Sequence, residues 1–327
     1  MAVPPTPIAA GPPDVSVVIV NCNTENLFVE FFSALEASRG TLTLQIIVVD
    51  NASRDSSVDT LRKEYPNIQL IENHANVGFG RANNQALPWI QGRYTLLLNP
   101  DAFVAPETLQ KTVEFMDTHP GCGVLGVKLV GRDGTLQPSC RYFPTPWNIF
   151  LARTGLARFS PGTQLVDEMS RDHASVRQCD WVPGCYYLVR REVIEHVGLF
   201  DPRYFLYYEE VDHCFRVRQA GWSVTYYPLT QVTHIGGESA ATEGPPTHGG
   251  QQISTLQIES QLLYFRKHYG ATGVLADVFL STLADIMTAC NGLVRRLDTA
   301  RAAEALHHTR IMLKLLVNTG FASRATR

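Results

Sequence analysis

Tyr94-Thr95-Leu96-Leu97-Leu98-Asn99-Pro100-Asp101 is the stretch from which the chain can be read outward. Three leucines preceded by Tyr94 and Thr95 predict a short buried strand. Pro100 has no N–H to give a sheet ladder, so the strand ends there. Asn99 and Asp101 then stand as two oxygen ligands at the carboxyl end of a strand, where open α/β sheets hold their ligands. Oxygen ligands two residues apart suit a hard divalent cation, Mg²⁺ or Mn²⁺, shared with a substrate phosphate. Taken alone, Asn-Pro-Asp fits an ordinary turn equally well. The flanking sequence decides between the two.

Upstream, Val15–Val20 is an apolar, β-branched strand ending at Asn21-Cys22-Asn23. A helix over 25–38 follows, with Thr24 as its expected N-cap. Leu44–Val49 is a second strand, closed by Asp50-Asn51, and Ser53 is expected to open a helix that stops before Pro66. Ile68–Ile71 is a third strand. A Gly/Asn-rich loop over 73–80 leads to a helix over 81–87. Strand and helix thus alternate four times up to Leu98, the pattern of a parallel sheet with helices on both faces.

Downstream, 107–119 reads as a helix stopped by Pro120-Gly121. Val124–Val130 and Leu136–Phe143 flank Asp133-Gly134, a hairpin signal, so the sheet becomes mixed there. The pattern weakens over 144–179, which reads as an acceptor-side loop. A strand over 185–189 and helices over 191–197 and 209–219 follow, with Gly221 just past the last. Ser223–Tyr227 is a strand. His234 falls in a Gly-flanked segment after it, followed by a Gly/Pro/Thr-rich loop to about Gly250. About three helices are expected from Ile253 onward.

The 327 residues carry a net charge of −3, which provides no basic field for nucleic acid. Seven cysteines are scattered without a CxxC pair, which points to a reducing compartment and away from disulfides or structural zinc. The opening MAVPPTPIAAGPPD has neither a basic region nor an apolar core, so it reads as a disordered lead-in over 1–13. No run of about 18 uncharged apolar residues predicts a transmembrane helix.

Several residues carry candidate chemistry. Asp50, on the same sheet edge as Asp101, can accept hydrogen bonds from a ribose or base, although helix capping explains it too. No GxGxxG follows the first strand and no P-loop is present, which argues against a dehydrogenase or P-loop enzyme. Asn76-Val77-Gly78-Phe79-Gly80-Arg81-Ala82-Asn83-Asn84 is a Gly-bearing loop entering a helix, where backbone N–H groups and Arg81 could hold phosphate. Tyr207-Tyr208-Glu209-Glu210-Val211-Asp212 places three carboxylates in four residues beside aromatics. Such crowding raises carboxyl pKa values, which suits a general base. Successive helical residues diverge by about 100°, so Glu209 and Glu210 cannot share one task.

VSVVIVNCN, IIVVDNAS, NVGFGRANN, LLLNPDA, DWVPGCYYLVRRE, FLYYEEVDHCFR and VTHIGGES, in this order, resemble glycosyltransferase family 2. The likeness runs from about Val15 to Lys267 and is strongest to bacterial rhamnosyltransferase-like members that use dTDP-activated sugars. It implies the GT-A (nucleotide-diphospho-sugar transferase) fold: α/β, a mostly parallel central sheet with helices on both faces, plus a C-terminal helical extension. Residues 14–250 would form the catalytic domain, with a donor half at 14–101 and an acceptor half at 102–250. Residues 251–327 would form the helical region. By resemblance, Asp50 contacts the base or ribose, and Asn99-Pro100-Asp101 falls on the DxD metal motif. His234 completes the metal shell, Asp101 being the main ligand and Asn99 a weaker one. Glu210 falls on the catalytic base, with Glu209 and Asp212 beside it. Asn21, Asn23, Asn76, Gly78, Arg81 and Asn83 join the donor side, and Trp181 and Gly184 fall on the acceptor side.

Two positions depart from the family pattern. Asn99 replaces an Asp and removes one charge from the metal motif. Glu210 replaces the usual Asp, and its extra methylene displaces the carboxylate by roughly 1.5 Å when extended. The expected activity is inverting, metal-dependent transfer of a sugar, L-rhamnose from dTDP-rhamnose by best match, with Mn²⁺ or Mg²⁺ as cofactor. The donor would be a dTDP- or UDP-sugar and the acceptor a saccharide or polyprenyl-linked saccharide in cell-surface polysaccharide synthesis. A cytoplasmic place is implied, with peripheral contact at the inner membrane face and homodimerisation left open. The competing readings are a nucleotidyltransferase, which lacks its basic phosphate loop here, and a non-catalytic nucleotide-sugar-binding or scaffolding subunit. Val274–Val294 is apolar but interrupted by Asp277 and Asp285, with Arg295, Arg296, Arg301 and Arg310 following. That segment reads equally as a membrane-surface face or as packed helices.

Overall fold

The computed structural model describes residues 11–160, 162–167, 173–236, 255–292 and 299–327. Most of the expected lead-in, the Gly/Pro/Thr-rich loop from Gly237 and the pair Arg295-Arg296 lie outside the described residues. The chain divides into two compact units. Among the described residues, 11–141, 173–201 and 210–236 form the first, and 142–167, 202–209 and the residues from 255 onward form the second.

The first unit is built on one ten-stranded sheet. Its strands are β1 (Val15–Asn21), β2 (Leu44–Asp50), β3 (Gln69–Glu72), β4 (Tyr94–Leu98), β5 (Ala102–Val104), β6 (Cys122–Val130), β7 (Leu136–Gln137), β8 (Arg177–Cys179), β9 (Tyr186–Arg190) and β10 (Ser223–His234). The order is β3-β2-β1-β4-β9-β6-β10-β5, with β7 on β6 and β8 on β10. From β3 to β4 every pairing is parallel, as the βαβ alternation predicts. Beyond β4 the sheet is mixed, because β9 runs antiparallel to both β4 and β6. Val17, Val48, Leu96, Leu97 and Leu188 are wholly buried. Each such side chain contributes about 1.5–3 kcal/mol over its exposed state.

Helices α1 (Phe28–Ser38), α2 (Ser57–Glu64), α3 (Phe79–Gln85), α4 (Thr108–Thr118), α6 (Arg191–Val197) and most of α7 (Glu209–Gln219) accompany the sheet, and α5 (Pro146–Thr154) belongs to the second unit. Two sequence expectations shift here. Thr24 does not cap α1; a short 3-10 turn over Glu25–Leu27 precedes the helix, and the Thr24 hydroxyl donates to Asn21 Oδ1 at 2.5 Å. Ser53 does not open α2, which starts at Ser57. Both hydroxyls are drawn to the polar groups at the sheet edge, and a side-chain cap made elsewhere cannot serve a helix.

The strand after Gly221 is also longer than expected. β10 runs through a register shift between Tyr227 and Gln231 and continues to His234. β5, invisible to local pattern because it is three residues long, pairs antiparallel with it and sets His234 opposite Ala102. His234 is therefore a strand residue, held beside Asp101 by a sheet ladder.

In the second unit, α5 starts with a capping box between Thr145 and Asn148 and ends on Gly155 at φ +71°. Three helical segments, as expected, occupy the described C-terminal residues: α8 (Thr255–Asn291), in which Gly270 at φ +69° separates two helices, and α9 (Thr299–Asn318). They run antiparallel, since Asp285 accepts from Thr309 Oγ1 at 2.6 Å and Glu259 accepts from the Thr326 N–H at 2.6 Å. Helix α8 is long and apolar enough to cross a bilayer by length and composition. Its three acids are nevertheless buried inside the unit, Glu259 against Thr326, Asp277 beneath Gln261 and Asp285 against Arg153, His308 and Thr309.

Candidate active site

The turn after β4 is tied down from two sides. The Asn99 N–H donates to Cys185 O at 3.1 Å, and the Ala102 N–H closes the turn onto Asn99 O at 3.0 Å. The Ile235 N–H then donates to Asp101 O at 3.1 Å. Asp101 is 3% exposed, and its Oδ1 is buried without a hydrogen bond. The atom that faces it is Nε2 of His234, 3.7 Å away.

Gln137 determines the state of that imidazole. Its Nε2 donates to the His234 carbonyl at 2.9 Å, which fixes which end of the amide faces the ring. Its Oε1 lies 3.0 Å from Nδ1 and can only accept, so the proton sits on Nδ1 and Nε2 carries a lone pair. Burial lowers the His234 pKa, with the Asp101 charge opposing, so the ring is neutral at pH 7. A neutral imidazole nitrogen and a carboxylate oxygen thus face each other with no proton to share. A divalent cation fits this pair, with a polar group on the other ring nitrogen orienting the ligand. Among the described residues no cluster of three His, Cys, Asp or Glu side chains surrounds the pair, so a cation here would draw further ligands from substrate or solvent.

Asp50 and Asn21 are register partners at the ends of β2 and β1. Asn21 Nδ2 donates to Asp50 Oδ2 at 2.7 Å and to Ser53 Oγ at 2.9 Å. The Ser53 N–H donates to Asp50 Oδ1 at 3.0 Å. Asn23, at φ +57°, accepts from the Arg54 N–H at 2.6 Å and gives its own N–H to Ser53 Oγ. Asn21 is thereby spent on the scaffold, while Asn23 stays exposed. Asn76 accepts from the Gly78 N–H and from Asn51 Nδ2, shaping the loop before α3, where Gly78 takes φ +89°. Arg81 is half-buried on α3; Asn83 is buried and donates to Phe79 O at 2.9 Å, a bond inside its own helix.

Three carboxylates at the start of α7 separate cleanly. Asp212 is wholly buried and pairs with Arg216 at 2.9 Å, and Arg216 also donates to the carbonyls of Val197 and Leu199. Its role is structural. Glu209 is buried and belongs to the second unit. Glu210 is half-buried, and its Oε2 is shielded from solvent without a hydrogen bond. Burial raises its pKa, against backbone N–H groups at 210 and 211 and the Arg141 charge. The thiol of Cys185 is raised first by burial, then by the Asp101 charge, with Glu210 adding to it. Asp101 and Glu210 therefore act on the same buried sulfur from the two halves of the sequence.

Arg141 and Gln137 escaped the sequence reading. Arg141 lies 4.1 Å over the ring of buried Trp181 and forms a backbone bridge to it. No local motif marks either residue, because each matters only through a partner more than 30 positions away. At Gly184 an added Cβ would meet the Phe79 ring at 3.6 Å, ordinary contact, so packing alone does not demand glycine there. His213 bridges Tyr187 Oη and Gly198 O and is structural.

The mixed α/β sheet, with Asp101 and His234 paired at its carboxyl edge, is of the GT-A type. The chain belongs to glycosyl transferase family 2, whose profile matches residues 16–197. It is 30% identical over 223 residues to an N-acetylglucosaminyl-diphospho-decaprenol L-rhamnosyltransferase of Mycobacterium tuberculosis, covering 63% of this chain and 70% of that one. It is 26% identical over 201 residues to the rhamnosyltransferase WbbL of Escherichia coli, covering 58% and 72%. Among solved structures, a mannosyltransferase from Pyrobaculum calidifontis in complex with GDP-Man and Mn²⁺ shares the fold at TM-score 0.53 and 18% identity, over 97% of this chain and 89% of that one. GalNAc-T7 with UDP, GalNAc and Mn²⁺ does so at TM-score 0.58 and 15% identity, over 95% and 58%.

Proposed function

We propose that this glycosyltransferase moves L-rhamnose from dTDP-rhamnose to a lipid-linked saccharide, with inversion, at the inner face of the cell membrane. The donor and acceptor classes follow the mycobacterial relative, whose name specifies a decaprenol-linked acceptor. The observation that carries the chemistry is the pairing of an unprotonated His234 Nε2 with Asp101 Oδ1 at 3.7 Å.

Asp101 and His234 would hold Mn²⁺ or Mg²⁺, with Asn99 beside them as a weaker ligand. When bound, the cation neutralises charge on the departing diphosphate. Asp50 and Asn23 stand at the nucleotide end of the sheet edge, and the 76–81 loop with Arg81 offers N–H groups and charge to the phosphates. Glu210 accepts the proton of the acceptor hydroxyl as that oxygen bonds to the anomeric carbon and the bond to the diphosphate breaks. A single displacement inverts the centre. A buried carboxyl with a raised pKa is a stronger base than a solvated one, which suits it to an alcohol proton. The charge of Arg141, fixed on Trp181, opposes the rise that burial imposes on that carboxyl and so favours its ionised form, and Trp181 and Gly184 border the acceptor side.

The test is a panel of nucleotide sugars with Mn²⁺ or EDTA, read by thermal shift and by nucleotide release. A metal-dependent shift with dTDP-rhamnose, lost in Asp101→Ala, is expected. Nucleotide release lost in Glu210→Gln while the shift persists supports the base. Binding without release under any acceptor would replace this reading with a non-catalytic binding subunit, and retention of anomeric configuration would overturn the single displacement.

A further inference from the structure

We propose that the α8–α9 hairpin of the second unit is a docking face for an anionic lipid bilayer. Helix α8 from Ala271 to Asn291 contains only two charged residues, Asp277 and Asp285, and both are buried. Its outward surface is therefore uncharged. Leu275, Phe279 and Ile286 are 57%, 67% and 48% exposed. At about 100° per residue their spacings of 4 and 7 place them on one stripe.

Helix α9 presents a matching stripe. Leu306, Leu313 and Val317 are 46%, 47% and 72% exposed, and their spacings of 7 and 4 again align. Beside each stripe the two helices meet inside the hairpin, where Ala289 packs with Ala302 and Ala305. Because Asp285 is level with His308 and Thr309, the antiparallel run sets Phe279 level with Leu313. Two apolar stripes therefore run side by side along one hairpin. Isolated apolar side chains on a surface are ordinary, but a continuous patch of this kind marks an interaction site.

Charge selects the occupant. Exposed Arg310 and Lys314 lie on the turns between the α9 apolar residues, and neither has an ion-pair partner among the described residues. Glu304 is the one acid on α9, and it is half-buried. A two-fold contact with a second copy brings the same patch against itself, so it would set these cations against cations. A bilayer offers apolar depth to the stripes and anionic headgroups to Arg310 and Lys314 together. The inference rests on the lipid-linked acceptor only for its purpose, since docking needs no substrate.

The full chain is mixed with vesicles of phosphatidylcholine alone, or with about a third phosphatidylglycerol, and separated by flotation. Wild type is expected to float with the anionic vesicles at least about tenfold more than with neutral ones, and to lose most of that gain at about 1 M salt. Phe279→Glu with Leu313→Glu, and separately Arg310→Glu with Lys314→Glu, should each reduce flotation at least about tenfold. Both pairs are exposed, so unchanged thermal unfolding and nucleotide-induced shift report intact folding. Flotation equal to wild type in both variants overturns the proposal. So does a lipid-free dimer, seen by light scattering, that Phe279→Glu with Leu313→Glu dissolves while wild type leaves vesicles unbound; the face then belongs to a second copy. Transfer to a water-soluble acceptor is measured in parallel. Lost flotation with retained transfer sinks the docking face alone, and absent transfer with retained flotation sinks the catalytic reading alone.

Discussion

Nε2 of His234 and Oδ1 of Asp101 face each other across 3.7 Å as two lone pairs, and the amide of Gln137 holds the arrangement in place. A hydrogen-bonded Asp–His pair would place a proton between them. Here the proton is committed to the far nitrogen, so the near one is ready to ligate.

His234→Ala and Asp101→Ala should each abolish the metal dependence of donor binding and lower kcat/KM by at least about 10²-fold. Mn²⁺ titration followed by electron paramagnetic resonance, with dTDP present, measures the loss directly. Unchanged Mn²⁺ affinity in both variants would remove the pair from the metal site.

Gln137→Leu removes the acceptor for Nδ1–H and frees the ring to change tautomer. Metal affinity should fall about 10–100-fold, the usual effect of losing an orienting partner. Gln137→Glu keeps an acceptor at the same place and should fall much less. The same Mn²⁺ titration distinguishes the two.

Glu210 must be ionised to take a proton, and burial raises its pKa. Activity should therefore rise with pH through an apparent pKa above that of an ordinary glutamate. Arg141→Met removes a cation that favours the carboxylate and should move the acid limb to still higher pH. Glu210→Gln should cost about 10³-fold or more in kcat with donor affinity kept. Asp212→Asn should leave the pH profile in place while destabilising the fold, because Arg216 then keeps a buried charge without its partner. A kcat/KM profile of the four proteins decides these points.

Asp277 offers a pH effect on stability rather than on chemistry. Burial pushes its pKa from 3.8 up to about 7, with Gln261 and Arg153 opposing. The folded chain then holds a proton that the unfolded chain has released between about pH 4 and 7, so stability falls as pH rises through that window. Asp277→Asn carries no charge at any pH and should flatten the slope, raising Tm by several degrees at pH 8 relative to wild type. Thermal unfolding at pH 5 and pH 8 tests the sign.

Tyr207 and Tyr208 both sit at φ +69°, immediately before Glu209 and Glu210. A left-handed backbone costs a non-glycine residue roughly 1–2 kcal/mol, so neighbouring contacts must hold it. Tyr208 Oη donates to Gln261 Oε1 at 3.1 Å, and Ser260 Oγ donates to Leu206 O at 2.9 Å. Gln261→Ala should loosen the approach to Glu210 and lower kcat severalfold with donor KM unchanged. A proportional change in KM would point to a general loss of structure instead.

By itself the sequence determined the parallel half of the sheet, since each strand and helix from Val15 to Leu98 is local and announced by periodicity or by a breaker such as Pro100. It also marked Asp50, Asp101, Glu210 and His234, whose chemistry and neighbours are legible in short runs. Only tertiary structure decided what those residues do to one another. β5 is three residues long and exists because β10 pairs with it, so nothing local could place His234 against Asp101. Gln137 and Arg141 gain their roles from partners 97 and 40 residues away along the chain, His234 and Trp181. In sequence Asp212 stands beside Glu210 as a further carboxylate, and only the fold shows it spent in a buried ion pair with Arg216 one turn later. Periodicity specifies elements because it acts within one or two turns. Protonation, tautomer and ligand geometry come from groups that meet only once the elements have packed.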